Sequence, residues 1–166
     1  YMKHSKTAIG HLGKHYERGK DESSEYVKFG NPEIDPQRTH LNYNLAPQHN
    51  HMEFIKQRLS EVYCLNRKDV NVMCSWVVTA PKDLAPRQQE DFFKESYKFL
   101  ENRYGKENVI SSYVHLDETT PHMHLHFVPV NKENGKLQAR ALMTPVRINK
   151  IHTEAPKYLQ EKGFEV

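Results

Sequence analysis

Alternating hydrophobic and polar positions mark several segments of this chain as strands. In residues 122–130, HMHLHFVPV, hydrophobic side chains occupy every second position, and Leu41, Tyr43 and Leu45 alternate in the same way. A period of two sends successive side chains to opposite faces of a sheet. The predicted strands are residues 2–8, 38–45, 70–80, 109–117 and 122–130.

Helical periodicity fills the stretches between these strands. Apolar side chains recur three or four positions apart from Met52 to Tyr63 and from Phe92 to Tyr104. Pro86 opens the second of these helices and Gly105 is suited to end it. Thr144-Pro145 is typical of a helix start, because threonine caps the first turn and proline fits its first position. The predicted helices are a helical turn within 9–20, then 52–63, 86–104 and a last helix over 144–163 that Pro156 bends.

The order of elements predicts an α+β fold, with a mostly antiparallel central sheet flanked by helices. Asn134-Gly135 indicates a hairpin turn after the last strand. With 166 residues, one domain over 1–166 is expected, as the N-terminal part of a longer protein. No apolar run approaches the roughly 18 residues of a membrane helix, so no membrane contact is expected. Cys64 and Cys74 indicate reduced thiols and a cytoplasmic location.

Charge is concentrated in two segments. Residues 1–20 and residues 131–152 each carry a net charge of +4, whereas the whole chain carries +3. Two basic segments on an otherwise acidic chain suggest that the protein binds a polyanion. Solvated lysines are the plainer explanation, and charge alone does not exclude it.

Four histidines lie within the thirteen residues HLDETTPHMHLHF, 115–127. Along a strand, His122, His124 and His126 share one face, and the short connection 118–121 brings His115 back beside the first two. Three imidazoles converging from two strands, with open coordination positions, indicate a catalytic metal site. His126, one step further along, is expected to line the cleft without binding the metal. A solvated polar face of the sheet is the alternative.

Three blocks of sequence, in order, are GKHYER (13–18), DPQRTHLNYNL (35–45) and HLDETTPHMHLHFVP (115–129). Together they resemble the motifs of the Mob/Pre (MobV-type) plasmid mobilisation relaxases, a branch of the HUH endonucleases. In that branch two histidines flank one bulky hydrophobic residue, as His122 and His124 flank Met123. The resemblance covers nearly the whole chain.

This resemblance implies a DNA relaxase that nicks and rejoins one strand at a plasmid origin of transfer. Its DNA would be single-stranded around the nick, with a hairpin as a further form. The resemblance implies that His115, His122 and His124 hold a divalent metal, manganese or magnesium, with manganese expected first. On affinity grounds three nitrogen ligands would also suit zinc, nickel or copper. It further implies that His15 is the nucleophile, forming a 5′-phosphohistidine, and that Glu118 orients it.

Other residues are candidates from their chemistry and spacing. Arg18 lies three residues after His15, so on a helical turn it shares that face and is able to hold a phosphate. Tyr16 and Tyr43 are rival nucleophiles, although the pattern around Tyr43 predicts core packing. The residues expected to contact DNA are Lys14, Arg38, His40, Arg140 and Arg147.

Two other functions fit parts of the sequence. A replication-initiator or other DNA-binding module on a similar fold would use the metal only structurally. A metallohydrolase of small substrates fits the three histidines but not the basic segments. Metal-dependent cleavage of DNA separates the nicking enzyme from the DNA-binding module.

Overall fold

The structure, a computed structural model, describes residues 1–6, 18, 33–65 and 67–166. Its strands are β1 (Met2–Ser5), β2 (Tyr43–Asn44), β3 (Asn71–Thr79), β4 (Val109–His115), β5 (His122–Phe127), β6 (Val130–Asn131) and β7 (Lys136–Leu137). The first five form one antiparallel sheet in the spatial order β1-β3-β5-β4-β2, and the last two form a hairpin. The predicted α+β fold class is confirmed.

The helices begin and end at residues whose chemistry explains their limits. They are α1 (His51–Glu61), α2 (Gln89–Tyr104), α3 (Ala139–Leu142) and α4 (Pro145–Glu161), with 3-10 turns at Thr39–Leu41, Pro86–Gln88 and Lys106–Asn108. The Asn50 side chain caps α1 by accepting the Glu53 N–H at 3.0 Å. Thr144 caps α4 by accepting the Arg147 N–H at 3.3 Å, as the sequence predicted.

The main core lies between one face of the sheet and the helices α2 and α4. Met123, Leu125 and Phe127 of β5 are fully buried there. Burial of each such side chain contributes about 1.5–3 kcal/mol. Because neighbouring residues alternate, the histidines of β5 must point to the opposite face. This arrangement confirms the division of β5 into a core face and a histidine face.

A second, smaller core covers the far end of the histidine face. There Ile55 of α1 packs among Met73, Ile110 and Val128. The helix therefore covers one end of that face, while His122 lies at the other end and is partly exposed.

Two of the predicted strands are shorter in the structure than the sequence indicated. The first ends at Ser5, and residues 7 and 8 lie outside the described part of the chain. Within 38–45 only Tyr43–Asn44 is a strand, because Asp35 and Pro36 begin a turn: the Asp35 carbonyl accepts the Arg38 N–H at 3.0 Å. Local turn chemistry therefore overrides the alternating pattern.

A third predicted strand, 122–130, is divided in the structure: β5 ends at Phe127, and Val130–Asn131 belongs to the separate hairpin. The other predicted strands and helices that can be compared agree in type and approximate position, as does the turn at Gly135, whose φ is 70°. The bend at Pro156 stays a prediction. Apart from Arg18, the predicted helical turn at 9–20 lies outside the described residues. In the ranges that the structure describes, no helix combines the length and hydropathy required to cross a membrane.

Candidate metal centre and nucleic-acid site

Three histidines from two neighbouring strands meet at one end of the sheet. His115 ends β4, and the antiparallel register sets it directly opposite His122, the first residue of β5. The ring centroids of His115 and His122 are 5.3 Å apart, those of His115 and His124 are 5.1 Å apart, and those of His122 and His124 are 4.8 Å apart. The predicted convergence of these three imidazoles, called here the histidine triad, is confirmed.

Hydrogen bonding selects the ring nitrogen that His122 can offer to a metal. Its Nδ1 lies 2.8 Å from the carbonyl oxygen of Thr120, which can only accept, so Nδ1 carries the proton. The lone pair is then on Nε2. A metal-binding histidine is usually oriented in this way by a carbonyl or carboxylate behind it.

The protonation state of His124 also suits a ligand. Burial, followed by the charges of His115 and His122, lowers the pKa of His124 from 6.5 to about 2. The imidazole is therefore neutral near pH 7 and keeps a lone pair for coordination. Two of its neighbours are also imidazoles, and protonation of several of these rings would bring like charges together. One metal cation can instead accept a lone pair from each of the three rings.

The geometry of the triad fits a metal ion. One nitrogen from each ring lies within 4.8 Å of the corresponding atoms of the other two. Nitrogens bound to one ion at about 2.1 Å are at most about 4.2 Å apart, so small ring rotations close the site. His115 is fully buried, while His122 and His124 are partly exposed. Among the described residues only these three donors come together, and three protein ligands leave coordination positions for water or substrate.

A buried arginine and two carboxylates lie beside the triad. Arg18 Nε donates to Asp117 Oδ2 at 3.0 Å, and Nη2 donates to Asp117 Oδ1 at 3.3 Å. Nη2 also donates to Glu118 Oε1 at 2.7 Å. The side chains of Arg18 and Asp117 are 2% and 0% exposed, so this pair is removed from water. A bidentate pair of this kind fixes the orientation of both partners.

Electrostatics favour the charged form of Asp117. Burial by itself raises the pKa of this carboxyl, but hydrogen bonding and charge from Arg18 outweigh it, and the net pKa is lowered from 3.8. Thr39 Oγ1 adds a hydrogen bond to Asp117 Oδ2 at 3.0 Å. The backbone of Arg18 has φ of 53°, in the left-handed region that non-glycine residues adopt at a cost of about 1–2 kcal/mol. Such strain is commonly held at functional sites.

Glu118 connects the arginine with the triad. While Oε1 accepts from Arg18, Oε2 lies 3.4 Å from His122 Nε2. The carboxylate is therefore held at the open side of the triad by the buried pair behind it. This location is compatible with the orienting role expected for Glu118, which stays a prediction.

His126 differs in part from expectation. It lies outside the group of three donors, as predicted, but it is only 2% exposed and so does not line an open cleft. Its Nδ1 lies 3.1 Å from Ser111 Oγ, and burial lowers its pKa to about 3. His126 thus belongs to the polar interior behind His124.

The structure bears on one of the two rival nucleophiles. Tyr43 packs against the main core, as its pattern predicted, and burial followed by the charge of Glu90 raises the pKa of its phenol. Both features make a reactive phenolate unfavourable. His15 and Tyr16 lie outside the described residues.

The residues predicted to contact DNA fall into two groups. Arg38 and His40 are exposed on either side of Thr39, whose hydroxyl donates to Asp117, so they lie near the buried pair of Arg18 and Asp117. Arg140 of α3 and Arg147 of α4 belong to the helical layer on the other face. Lys14 lies outside the described residues. The role of each in binding DNA stays a prediction.

Asp117 is the main site residue to which the sequence analysis assigned no role. Its partners, Arg18 and Thr39, are 99 and 78 positions away. The only signal in the sequence is its position just after a strand that ends in a ligand histidine.

Comparison with known proteins agrees with the motifs and the geometry of the triad. The family model described as plasmid recombination enzyme, Mob_Pre, matches residues 1–166. The chain belongs to the Mob_Pre family. A plasmid recombination enzyme from Streptococcus agalactiae is 34% identical over 97% of the chain, and a type 1 enzyme from Staphylococcus aureus is 36% identical over 86%. These matches cover 34% and 38% of the relatives, so the chain spans about a third of their length.

Solved structures of the same family share the fold. A MobM relaxase domain, described as manganese-bound and in complex with oriT DNA of plasmid pMV158, matches 99% of this Mob_Pre chain and 85% of its own at 31% identity, with a TM-score of 0.85. A second such complex gives 32% identity, the same coverage and a TM-score of 0.84. The histidine triad, as a group that could hold a divalent metal, is in keeping with those manganese-bound relatives.

Proposed function

We propose that this chain is the nicking domain of a relaxase, which cleaves and rejoins one DNA strand at a plasmid origin of transfer. The observation that carries the proposal is the triad of His115, His122 and His124, with the carboxylate of Glu118 held at its open side by Arg18. Membership of the Mob_Pre family supports it, as does similarity to a MobM relaxase domain bound to oriT DNA.

The proposed metal ion is Mn²⁺, held by the three triad histidines. Manganese is the ion of the similar MobM structures. Nitrogen ligands would bind nickel or zinc more tightly, so the choice of manganese rests on its availability in the cell. When bound, a divalent ion supplies positive charge against the oxygens of the scissile phosphate.

His15 is the proposed nucleophile. A nitrogen of its ring forms a bond to phosphorus as the bond from phosphorus to the 3′ oxygen breaks. The electron pair leaves on that oxygen, which takes a proton from water and becomes a 3′ hydroxyl. Glu118 accepts the proton of the other ring nitrogen, so the ring of the 5′-phosphohistidine is neutral while its phosphate keeps one negative charge. That proton then neutralises the hydroxide left from the water. Attack of the 3′ hydroxyl on this intermediate reverses each step and rejoins the strand.

Arg18 is proposed to act mainly as a positioning residue. Its guanidinium binds Asp117 at two atoms and Glu118 at one, which fixes the Glu118 carboxylate. A direct contact from Arg18 to phosphate, expected from its place after His15, is the remaining part of the proposal. DNA is proposed to lie along Lys14, Arg38 and His40 near the nick.

Cleavage of an oligonucleotide tests the function. A 22-nucleotide transfer-origin strand, the length bound by the MobM domain, is incubated with Mn²⁺ or with EDTA. Cleavage is expected with Mn²⁺ only, and His124→Ala should abolish it. His152→Ala, which removes an exposed histidine of α4, is the matched control. DNA binding without cleavage under every metal condition would favour the DNA-binding module.

The chemistry of the covalent adduct tests the nucleophile. A phosphohistidine is a phosphoramidate, which is labile in acid, whereas a phosphotyrosine ester survives. The adduct should therefore disappear on mild acid treatment and should not form with His15→Ala. Activity should fall as the pH drops through roughly 6.5, where a free imidazole protonates. An acid-stable adduct that is lost in Tyr16→Phe would assign the reaction to tyrosine.

A further inference from the structure

A polar cavity of about 260 Å³ lies far from the histidine triad. Tyr104, the last residue of α2, lines it and stacks on Phe127, with ring centroids 3.9 Å apart. Phe127 ends β5, whereas His122 begins it, and five steps along a strand span about 17 Å. Phe127 also points to the opposite face from His122. The cavity is therefore separated from the triad by both the length and the thickness of the sheet.

The charge of the cavity is positive. Arg103, Arg147 and Lys150 line it together with the single acid Glu133, which leaves two positive charges in excess. Arg103 is also paired with Glu154 outside the lining. Among the described residues, no carboxylate lies within ion-pair distance of Arg147 or Lys150.

The concave shape of the cavity increases the attraction of these charges for an anion. Leu142 and Ile151 contribute apolar wall, and charges in a concave site with low-dielectric walls attract anions more strongly than the same charges on an open surface. Counting Glu154, the local net charge is +1, which matches the single negative charge of a phosphodiester. An arginine and a lysine side by side are suited to hold its two free oxygens.

We propose that this cavity, through Arg147 and Lys150, binds a backbone phosphate of the same DNA whose nick site lies at the triad. The inference rests on the proposed function, because it takes DNA as the ligand. Along β5 the two sites are offset by about 17 Å, and a strand that passes around the edge of the sheet must cover more than this distance. At 3.4 Å per nucleotide, the rise of one strand of a duplex, 22 nucleotides span about 75 Å. A 22-nucleotide strand, the length bound by the similar MobM domain, is therefore long enough to reach both sites around the edge of the sheet.

The variant Arg147→Gln tests the cavity without weakening the fold. Residue 147 is the third position of α4 after its cap, Thr144. Glutamine at this position completes a capping box, in which its side chain bonds back to the backbone N–H of the cap residue. The melting temperature should therefore stay the same or rise while one positive charge is lost. Lys157→Gln, which removes an exposed charge elsewhere on α4, is the matched control.

The readout is the salt dependence of binding to a 22-nucleotide pMV158 transfer-origin oligonucleotide, measured by fluorescence anisotropy. Loss of one phosphate contact should lower the slope of log affinity against log salt by about 0.7–0.9. The wild type would then lose about threefold more affinity than Arg147→Gln between 50 and 200 mM salt. Lys157→Gln should keep the wild-type slope. The slope reports phosphate contacts whether or not this DNA is the cognate sequence.

Three results decide the inference. A reduced slope in Arg147→Gln and in Lys150→Gln, but not in Lys157→Gln, supports it. Unchanged slopes in the two cavity variants overturn it. The proposal is also overturned if the slopes are unchanged and inorganic phosphate raises the melting temperature only when Arg147 is present. The cavity would then bind a free anion and not DNA. Since binding is measured without cleavage, failure of the nicking proposal would be seen separately, in the Mn²⁺ assay.

Discussion

Replacing Arg18 with methionine is expected to lower the free energy of unfolding by about 3–5 kcal/mol. The guanidinium makes three hydrogen bonds to two carboxylates, and Asp117 is fully buried. Methionine fills a similar volume but leaves the Asp117 carboxylate in a dry site without its cationic partner. The neutral side chains of Thr39 and Asn42 remain as hydrogen-bond donors. An uncompensated buried charge of this kind accounts for the size of the loss.

A second substitution separates charge from packing. Asp117→Asn removes the buried negative charge while keeping the side-chain shape and the acceptor for Thr39. Combined with Arg18→Met, it should recover part of the loss, so that the double variant is about 0.5–3 kcal/mol more stable than the sum of the single changes predicts.

Urea unfolding of the four proteins at pH 7 in EDTA measures these differences. For a domain of this length, 3–5 kcal/mol corresponds to a melting temperature lower by roughly 6–20 °C. Arg140→Met, which changes an exposed arginine of α3, is the control. A loss below about 1 kcal/mol in Arg18→Met, or strict additivity in the double variant, would mean that the buried pair does not form in solution.

Further predictions concern the metal, the interior, acid stability and a turn. Titration calorimetry should show that His124→Ala loses Mn²⁺ affinity and that His126→Ala retains it; the reverse result would move His126 among the ligands. Because the folded pKa of Asp117 is lowered, its stabilising contribution is complete above the unfolded pKa of about 3.9 and is lost as pH falls through the folded value. In Asp117→Asn, the free energy of unfolding should therefore fall less steeply with pH below about pH 4 than in the wild type. The same pH dependence in both proteins would contradict this. Gly105→Ala should reduce stability by about 1–2 kcal/mol in urea unfolding, because φ is 97° and a residue with a Cβ is strained there; a neutral effect would show that the turn relaxes.

Much of the fold and the triad could be predicted because the signals are local. The alternation in β5 separates His122 and His124 from the buried Met123 by geometry alone, since a strand has a period of two. The short connection after β4 then leaves few places for His115 other than beside them. Thr144-Pro145 and Gly135 carry the chemistry of a helix cap and a turn within a few residues.

What the sequence could not determine depends on partners that are distant along the chain. Arg18 was expected to face phosphate from its spacing to His15, but its described contacts are with Asp117 and Glu118, about 100 positions later. The segment 38–42 alternates as a strand does, yet Thr39 bonds Asp117 and the chain turns there instead.

The sequence by itself thus determined the elements, the two faces of β5 and the chemistry of the triad, because periodicity, caps and turns act between near neighbours. Only the tertiary structure decided which carboxylate pairs with Arg18, that His126 is buried, and that Arg103, Arg147 and Lys150 share one cavity. The physical reason is that these contacts are set by sheet register and by the packing of α2 and α4. Both depend on the summed burial of the whole core, which no local pattern records.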